Sequence, residues 1–183
     1  ESMKIKSGLL AALLVGLSTI VSAQTTAKTS TPDVIVKNLY AAHATARKID
    51  PAVLLGSRLY PDMFPLSRQI QIAADAAKGG AARLAGMEPP VHEDREAGFP
   101  ELVERLQKTI AYLDTFRPEQ IDGAEGRMIT LKMRERTLTM EGSAFLLNRA
   151  LPNFYFHVSI AYAILRHNGV DLGKKDYLGK SDG

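Results

Sequence analysis

Apolar residues recur at helical spacing through most of the chain, and the breaks between these runs carry recognisable start and stop residues. Thr31-Pro32 reads as an N-cap followed by proline at the first helical position. Val36, Leu39, Tyr40 and His43 follow at helical spacing, which predicts a first helix to about Lys48. Asp50-Pro51 repeats the start signal and predicts a short helical turn through Leu55. After a break at Tyr60-Pro61-Asp62, a long helix is predicted from Asp62 or Pro65 to Leu84. Its apolar face is Leu66, Ile70, Ala73, Ala77 and Leu84, and Ser67, Arg68, Gln71, Asp75 and Lys78 lie opposite. Gly79-Gly80 falls inside this helix; each glycine costs about 1 kcal/mol relative to alanine. The pair therefore predicts either a kink or a second backbone packed close by. Gly86 closes the helix, and residues 87–98, with Pro89-Pro90, read as a polar loop.

Pro100-Glu101 opens a third helix with Leu102, Val103, Leu106, Ile110 and Leu113 inward, and Arg117 to Gly126 reads as loop. The period then changes to two. Ile129, Leu131 and Met133, followed by Leu138 and Met140, predict a hairpin with Arg134-Glu135 as its two-residue turn, although those are not the favoured turn residues. Gly142 to Ala150 reads as a short helical piece, and Pro152 to His167 as the last long helix, stopped by Asn168-Gly169. The tail from Val170 is predicted extended, with Tyr177 and Leu178 pinning part of it. The pattern predicts an all-α domain with one small β-hairpin, arranged as an antiparallel four-helix bundle.

The first segment is expected to lie outside that fold. Glu1-Ser2 read as a residual tag ahead of Met3. Lys4 and Lys6, the apolar run from Gly8 to Val21 and then Val21-Ser22-Ala23 form a secretory signal pattern, with cleavage expected before Gln24. An apolar run of that length is short of the roughly 20 residues of a membrane-spanning helix. The expected organisation is therefore residues 1–23 as tag and signal peptide, 24–31 as a flexible mature N-terminus, 32–179 as the bundle and 180–183 as a tail. The location expected is periplasmic or secreted, with no membrane attachment after cleavage.

The 183-residue chain is 45% hydrophobic and 23% charged, ordinary values for a globular domain. Past residue 23 it carries 21 basic and 19 acidic residues, a balance that does not suggest nucleic acid as a partner. Cysteine is absent, so neither disulfide nor thiol chemistry can come from the protein.

Candidate chemistry concentrates in the last helix. At 100° per residue, Asn153, His157, Ile160, Ala161 and Ile164 share a face that is apolar apart from Asn153 and His157. Two polar groups on a core-facing stripe must find partners or bind something. One reading is a buried histidine satisfied by a neighbouring carbonyl or carboxylate. The other is a ligand pocket lined by Asn153 and His157 on one side and Gln71 and Asp75 on the other, with Asp75 fixing the His157 tautomer. Gln71 and Asp75 are an i,i+4 pair, and they read equally as a solvated face with Arg68 and Lys78. The opposite side of the last helix carries Tyr155, Ser159, Tyr162, Ala163 and Arg166, and predicts either a homodimer contact or a cover from the hairpin or the tail around Tyr177. His43 and His92 read as structural or solvated, and His167 suits the negative end of a helix dipole. Phosphate loops, His-Glu-x-x-His and Gly-x-Ser-x-Gly motifs are all missing.

Two blocks carry a family resemblance. The first runs from Pro61 to Lys78, with Ala82 to Gly86; the second runs from Leu151 through His167 to Val170, with Asp176 to Gly179. Over roughly Ile49 to Gly179 the chain resembles a domain of unknown function (DUF1993) within the DinB/YfiT-like superfamily. The resemblance implies a DinB-type four-helix bundle and supports a homodimer. It also implies a divalent metal site of three histidines, one on the second helix and two spaced i,i+4 on the last. Here His157 takes the second position of that pair, Asn153 the first, and the second-helix position falls at or next to Gln71. Amide oxygens are poor ligands for zinc or nickel beside imidazole. No resident cofactor or metal is therefore expected, and His157 is the only candidate ligand for a weakly bound divalent ion. The function expected is small-ligand binding around His157; the alternative is a non-catalytic dimeric envelope scaffold. Whether the protein is an enzyme stays open at this level.

Overall fold

The computed structural model describes residues 43–178. The signal-like segment, most of the first predicted helix and the last five residues lie outside the described residues. Residues 43–47 are helical, and the chain leaves the helix at Lys48, a left-handed position with φ 54°. The short helix α1 (Pro51–Gly56) starts where proline was placed by the sequence, and the Asp50 carboxylate accepts the Ala52 N–H at 2.9 Å.

Helix α2 (Leu66–Leu84) is the centre of the fold and packs chiefly on α3 (Phe99–Leu113) and α6 (Leu151–His167). Ala73, Ala74, Ala77, Ala81 and Ala82 are all fully buried, so its neighbours approach from several sides. It continues through Gly79-Gly80. A Cβ on Gly80 would lie 3.4 Å from the Ala150 Cβ, so another element packs closely at Gly80, whereas a Cβ on Gly79 would meet only the Arg83 side chain of the same helix. Gly86, with φ 74°, ends the helix, and Met87 N–H donates back to the Ala82 carbonyl at 2.8 Å. Residues 87–98 then form a strap back to α3.

The stretch 117–126 departs from the expected loop. It contains the one-turn helix α4 (Pro118–Ile121), where the Gln120 side chain accepts the Arg117 N–H at 2.9 Å. Four residues are too few to show a helical period. The hairpin forms as the alternation predicts: β1 (Met128–Lys132) pairs antiparallel with β2 (Thr137–Glu141), setting Ile129 opposite Met140 and Leu131 opposite Leu138. Arg134 and Glu135 turn the chain with negative φ, unlike the primed turns that favour Asn-Gly.

Helix α5 (Gly142–Phe145) runs into a π-helical turn, Leu146–Ala150, and then into α6. Gly142 is dictated by space, because a Cβ there would overlap the Ala124 carbonyl oxygen. Asn168 and Gly169 (φ 86°) stop α6 as predicted. The tail is not extended: it forms α7 (Lys174–Leu178), begun by the Asp176 carboxylate accepting the Gly173 N–H at 2.7 Å. Tyr177 covers the outer face of α6, with its hydroxyl 2.9 Å from Ser159 Oγ and its ring edge-on to Tyr162 at 5.6 Å. The chain's own tail, one of the covers expected for that face, packs there through Tyr177. Among the described residues no helix is long and apolar enough to cross a membrane.

Candidate functional site

The buried stripe of α6 is Phe154, His157, Val158, Ala161, Ile164 and Leu165. Its centre lies near Ala161, which leaves Asn153 about 80° away around the helix. Asn153 is accordingly exposed, and Ile160 only half-buried, so the expected placement of Asn153 inside the bundle is wrong. His157 is where the pattern put it, at 8% exposure.

The group that meets His157 is Gln69, with Nδ1 and Oε1 2.6 Å apart. Gln69 is itself 1% exposed, and its Nε2 donates to the Phe64 carbonyl at 3.0 Å. That second bond fixes the chemistry of the first. A carbonyl can only accept, so the Gln69 amide nitrogen must face Phe64 and its oxygen must face the ring. The oxygen also can only accept, so His157 Nδ1 carries the proton. Nε2 is left as an unprotonated acceptor. No hydrogen bond to it is formed among the described residues. Burial, and then the nearby Arg68 charge, hold the His157 pKa below its ordinary value and favour this neutral form. The Phe156 ring stands edge-on to His157 at 5.2 Å and is half-exposed, as is Phe64, whose carbonyl holds Gln69.

Gln69 was missed at the sequence level, although a signal was present. It lies three residues after Leu66 and four before Ala73, on the apolar stripe itself. Gln71, the residue predicted there, is 200° further around α2. It is buried, but against the strap: Arg68 donates to its Oε1 at 3.2 Å, and its Nε2 donates to Glu96 at 2.8 Å. Asp75 is likewise not at His157. Its Oδ1 takes Lys78 Nζ at 2.9 Å and Arg105 Nη2 at 3.0 Å. The latter contact is an ion pair without hydrogen-bond alignment, since neither atom finds a well-directed partner. Arg105 also reaches Glu96 at 2.8 Å and Asp94 at 3.0 Å, while Arg68 pairs with the other Asp94 oxygen. Instead of being a solvated face, this side of α2 is clamped under the strap by alternating charges.

The donor set does not fit a three-histidine metal centre. Gln71, at the expected α2 position, is tied to Arg68 and Glu96, the Gln69 amide oxygen is engaged by His157, and Asn153 is exposed. Among the described residues no three His, Cys, Asp or Glu side chains converge as ligands.

Comparison with known proteins agrees with this architecture. A solved structure described as a DinB family member protein from Shewanella denitrificans is 36% identical, with a TM-score of 0.77 over 95% of this chain and 91% of that one. No curated protein matches the chain. The model of the domain of unknown function DUF1993 matches residues 19–178. The chain therefore belongs to the DUF1993 family and has a DinB-like helical fold with one hairpin.

Proposed function

We propose that this protein is exported and binds a small molecule at His157, which presents Nε2 as an acceptor. One observation carries the reading: Gln69, itself fixed by the Phe64 carbonyl, orients the ring so that its unpartnered nitrogen is the basic one. A buried histidine kept only for packing needs no second group to fix its tautomer. Half-exposed Phe156, edge-on to the ring, supplies an apolar neighbour of the kind ligand sites use. Titrating a set of small polar and aromatic compounds while following the His157 ring nitrogens by NMR tests the reading. Saturable shifts at His157 support it; shifts only at other residues contradict it. Export rests on Lys4, Lys6, the Gly8–Val21 run and Ala23. Mass spectrometry of protein from its native host should give Gln24 as the first residue, and soluble protein beginning at Met3 would refute this.

A non-catalytic homodimeric scaffold is the second reading. It is favoured by the exposure of Tyr155, Phe156 and Phe64, aromatic side chains of the kind enriched at interfaces. Sedimentation at high micromolar concentration decides it: a dimer dissolved by Phe156→Glu supports the scaffold, and a monomer refutes it.

A further inference from the structure

The Phe64 carbonyl that holds Gln69 belongs to the irregular segment 57–65 between α1 and α2. Burial does not fix this segment, because Leu59, Tyr60 and Phe64 are all exposed. Hydrogen bonds fix it instead. Its base is closed by Leu66 N–H donating to the Ser57 carbonyl, and its tip by Met63 N–H donating to the Tyr60 carbonyl, each at 3.0 Å. Arg58 then reaches across it, and its Nη1 donates to the Met63 carbonyl at 2.7 Å. Among the described residues, Arg58 and Gln69 are the only side chains that bond to the backbone of residues 60–64. The Met63 carbonyl lies in the peptide plane just before Phe64. Phe64 in turn precedes Pro65, a neighbour that bars helical torsions and confines Phe64 to extended backbone. With one plane held by Arg58 and the torsions of Phe64 confined, the next plane, which carries the Phe64 carbonyl, is aimed at Gln69.

From this chain of contacts we infer that Arg58 is a positioning residue of the proposed His157 site: through the 57–65 segment it sets which ring nitrogen is left as the acceptor. The inference rests on the reading of His157 given above. The Gln69 amide can turn over only by bringing its oxygen to face the Phe64 carbonyl, and neither of those atoms can donate. While Arg58 keeps the carbonyl in place, that turn is opposed. Gln69 Oε1 then stays on His157 Nδ1 at 2.6 Å, and the ring Nε2 stays bare. Once the carbonyl is free to swing away, the Gln69 amide N–H can face the ring instead. His157 Nδ1 becomes the acceptor, and the proton resides on the ring Nε2. The site then offers its ligand a donor rather than an acceptor. Arg58 acts through the backbone and not through its charge, since burial and Arg68 are what lower the His157 pKa.

The test follows the His157 ring nitrogens by long-range nitrogen–proton correlation at pH 7 in the parent, Arg58→Met and Arg58→Lys, with a thermal melt of each. Methionine keeps an unbranched side chain and removes the donor; lysine restores a donor. Arg58→Met should raise the share of ring protonated on Nε2 about tenfold, the worth of one solvent-exposed hydrogen bond from a charged donor. Arg58→Lys should return most of the ring to the Nδ1-protonated form. A parent tautomer ratio in Arg58→Met, whatever its melting temperature, would overturn the positioning role while the His157 reading stands. A lysine variant shifted as far as the methionine one would overturn it too, because the donor would then not be what matters. A parent ring already protonated on Nε2 would instead sink the Gln69 reading, and this inference with it.

Discussion

Glu96 and Arg105 lie 2.8 Å apart with both side chains buried, and they hold the middle of the 87–98 strap against α3. Burial alone would raise the Glu96 pKa. The hydrogen bond from Arg105, with help from its own backbone amide and from Gln71, outweighs burial and holds the carboxyl below its ordinary 4.5. A depressed acid adds stability above its unfolded pKa and loses it as pH falls through the folded value. The strap should therefore loosen below about pH 4.5, before the rest of the fold. Hydrogen exchange of the strap amides at pH 3.5 and pH 6 should differ in that region first; equal protection at both would count against it.

Removing Arg105 should be costly. The guanidinium is 2% exposed and touches Asp75, Asp94 and Glu96. Breaking a buried pair by deleting one partner typically costs about 3–5 kcal/mol. Asp75 and Asp94 reach solvent and can rehydrate, so Arg105→Met should fall near about 3 kcal/mol in urea denaturation. A cost under about 1 kcal/mol would mean that the strap is held by other contacts.

The His157 and His92 pKa values are both lowered, His157 by burial and then Arg68, His92 by burial and then Lys78 and its neighbouring cations. Below the ordinary 6.5, the unfolded chain takes up protons that these folded rings refuse. Stability is then lost as pH falls from about 6.5 toward the folded values. His157→Gln should reduce the stability difference between pH 7.5 and pH 5.5 measured by urea unfolding, and an unchanged difference would contradict the lowered pKa.

Gly142→Ala tests the packing of α5. A methyl group there overlaps the Ala124 carbonyl oxygen, which is backbone and cannot swing aside. A loss of about 1–3 kcal/mol is expected, the range for overpacking. A variant as stable as the parent would place that loop differently.

The boundaries of the helices were legible because proline and glycine mark them: Pro51 and Pro152 near helix starts, Gly86 and Gly169 at stops. The hairpin was legible because Ile129, Leu131, Leu138 and Met140 alternate. The partner of His157 was not. Alanines at 73, 74, 77, 81 and 82 are all buried and mark no single face, so the phase of α2 cannot be read from hydrophobicity alone. Burial of Gln71 comes from a strap whose Glu96 lies 25 residues further along the chain, a contact that no local period encodes. Asn153 was misplaced because it lies at the edge of its stripe, where a small shift in phase exposes it. The helical tail α7 is too short for periodicity and depends on Asp176 and on Tyr177 docking against α6.

The protonation of the His157 ring tests the central claim most directly, because the whole site follows from the Gln69 relay. Long-range nitrogen–proton correlation on histidine-labelled protein distinguishes the two neutral tautomers and the imidazolium. At pH 7 the account predicts a neutral ring with its proton on Nδ1 and a bare Nε2, and a loss of that preference in Gln69→Leu. A ring protonated on Nε2, or charged at pH 7, would contradict it.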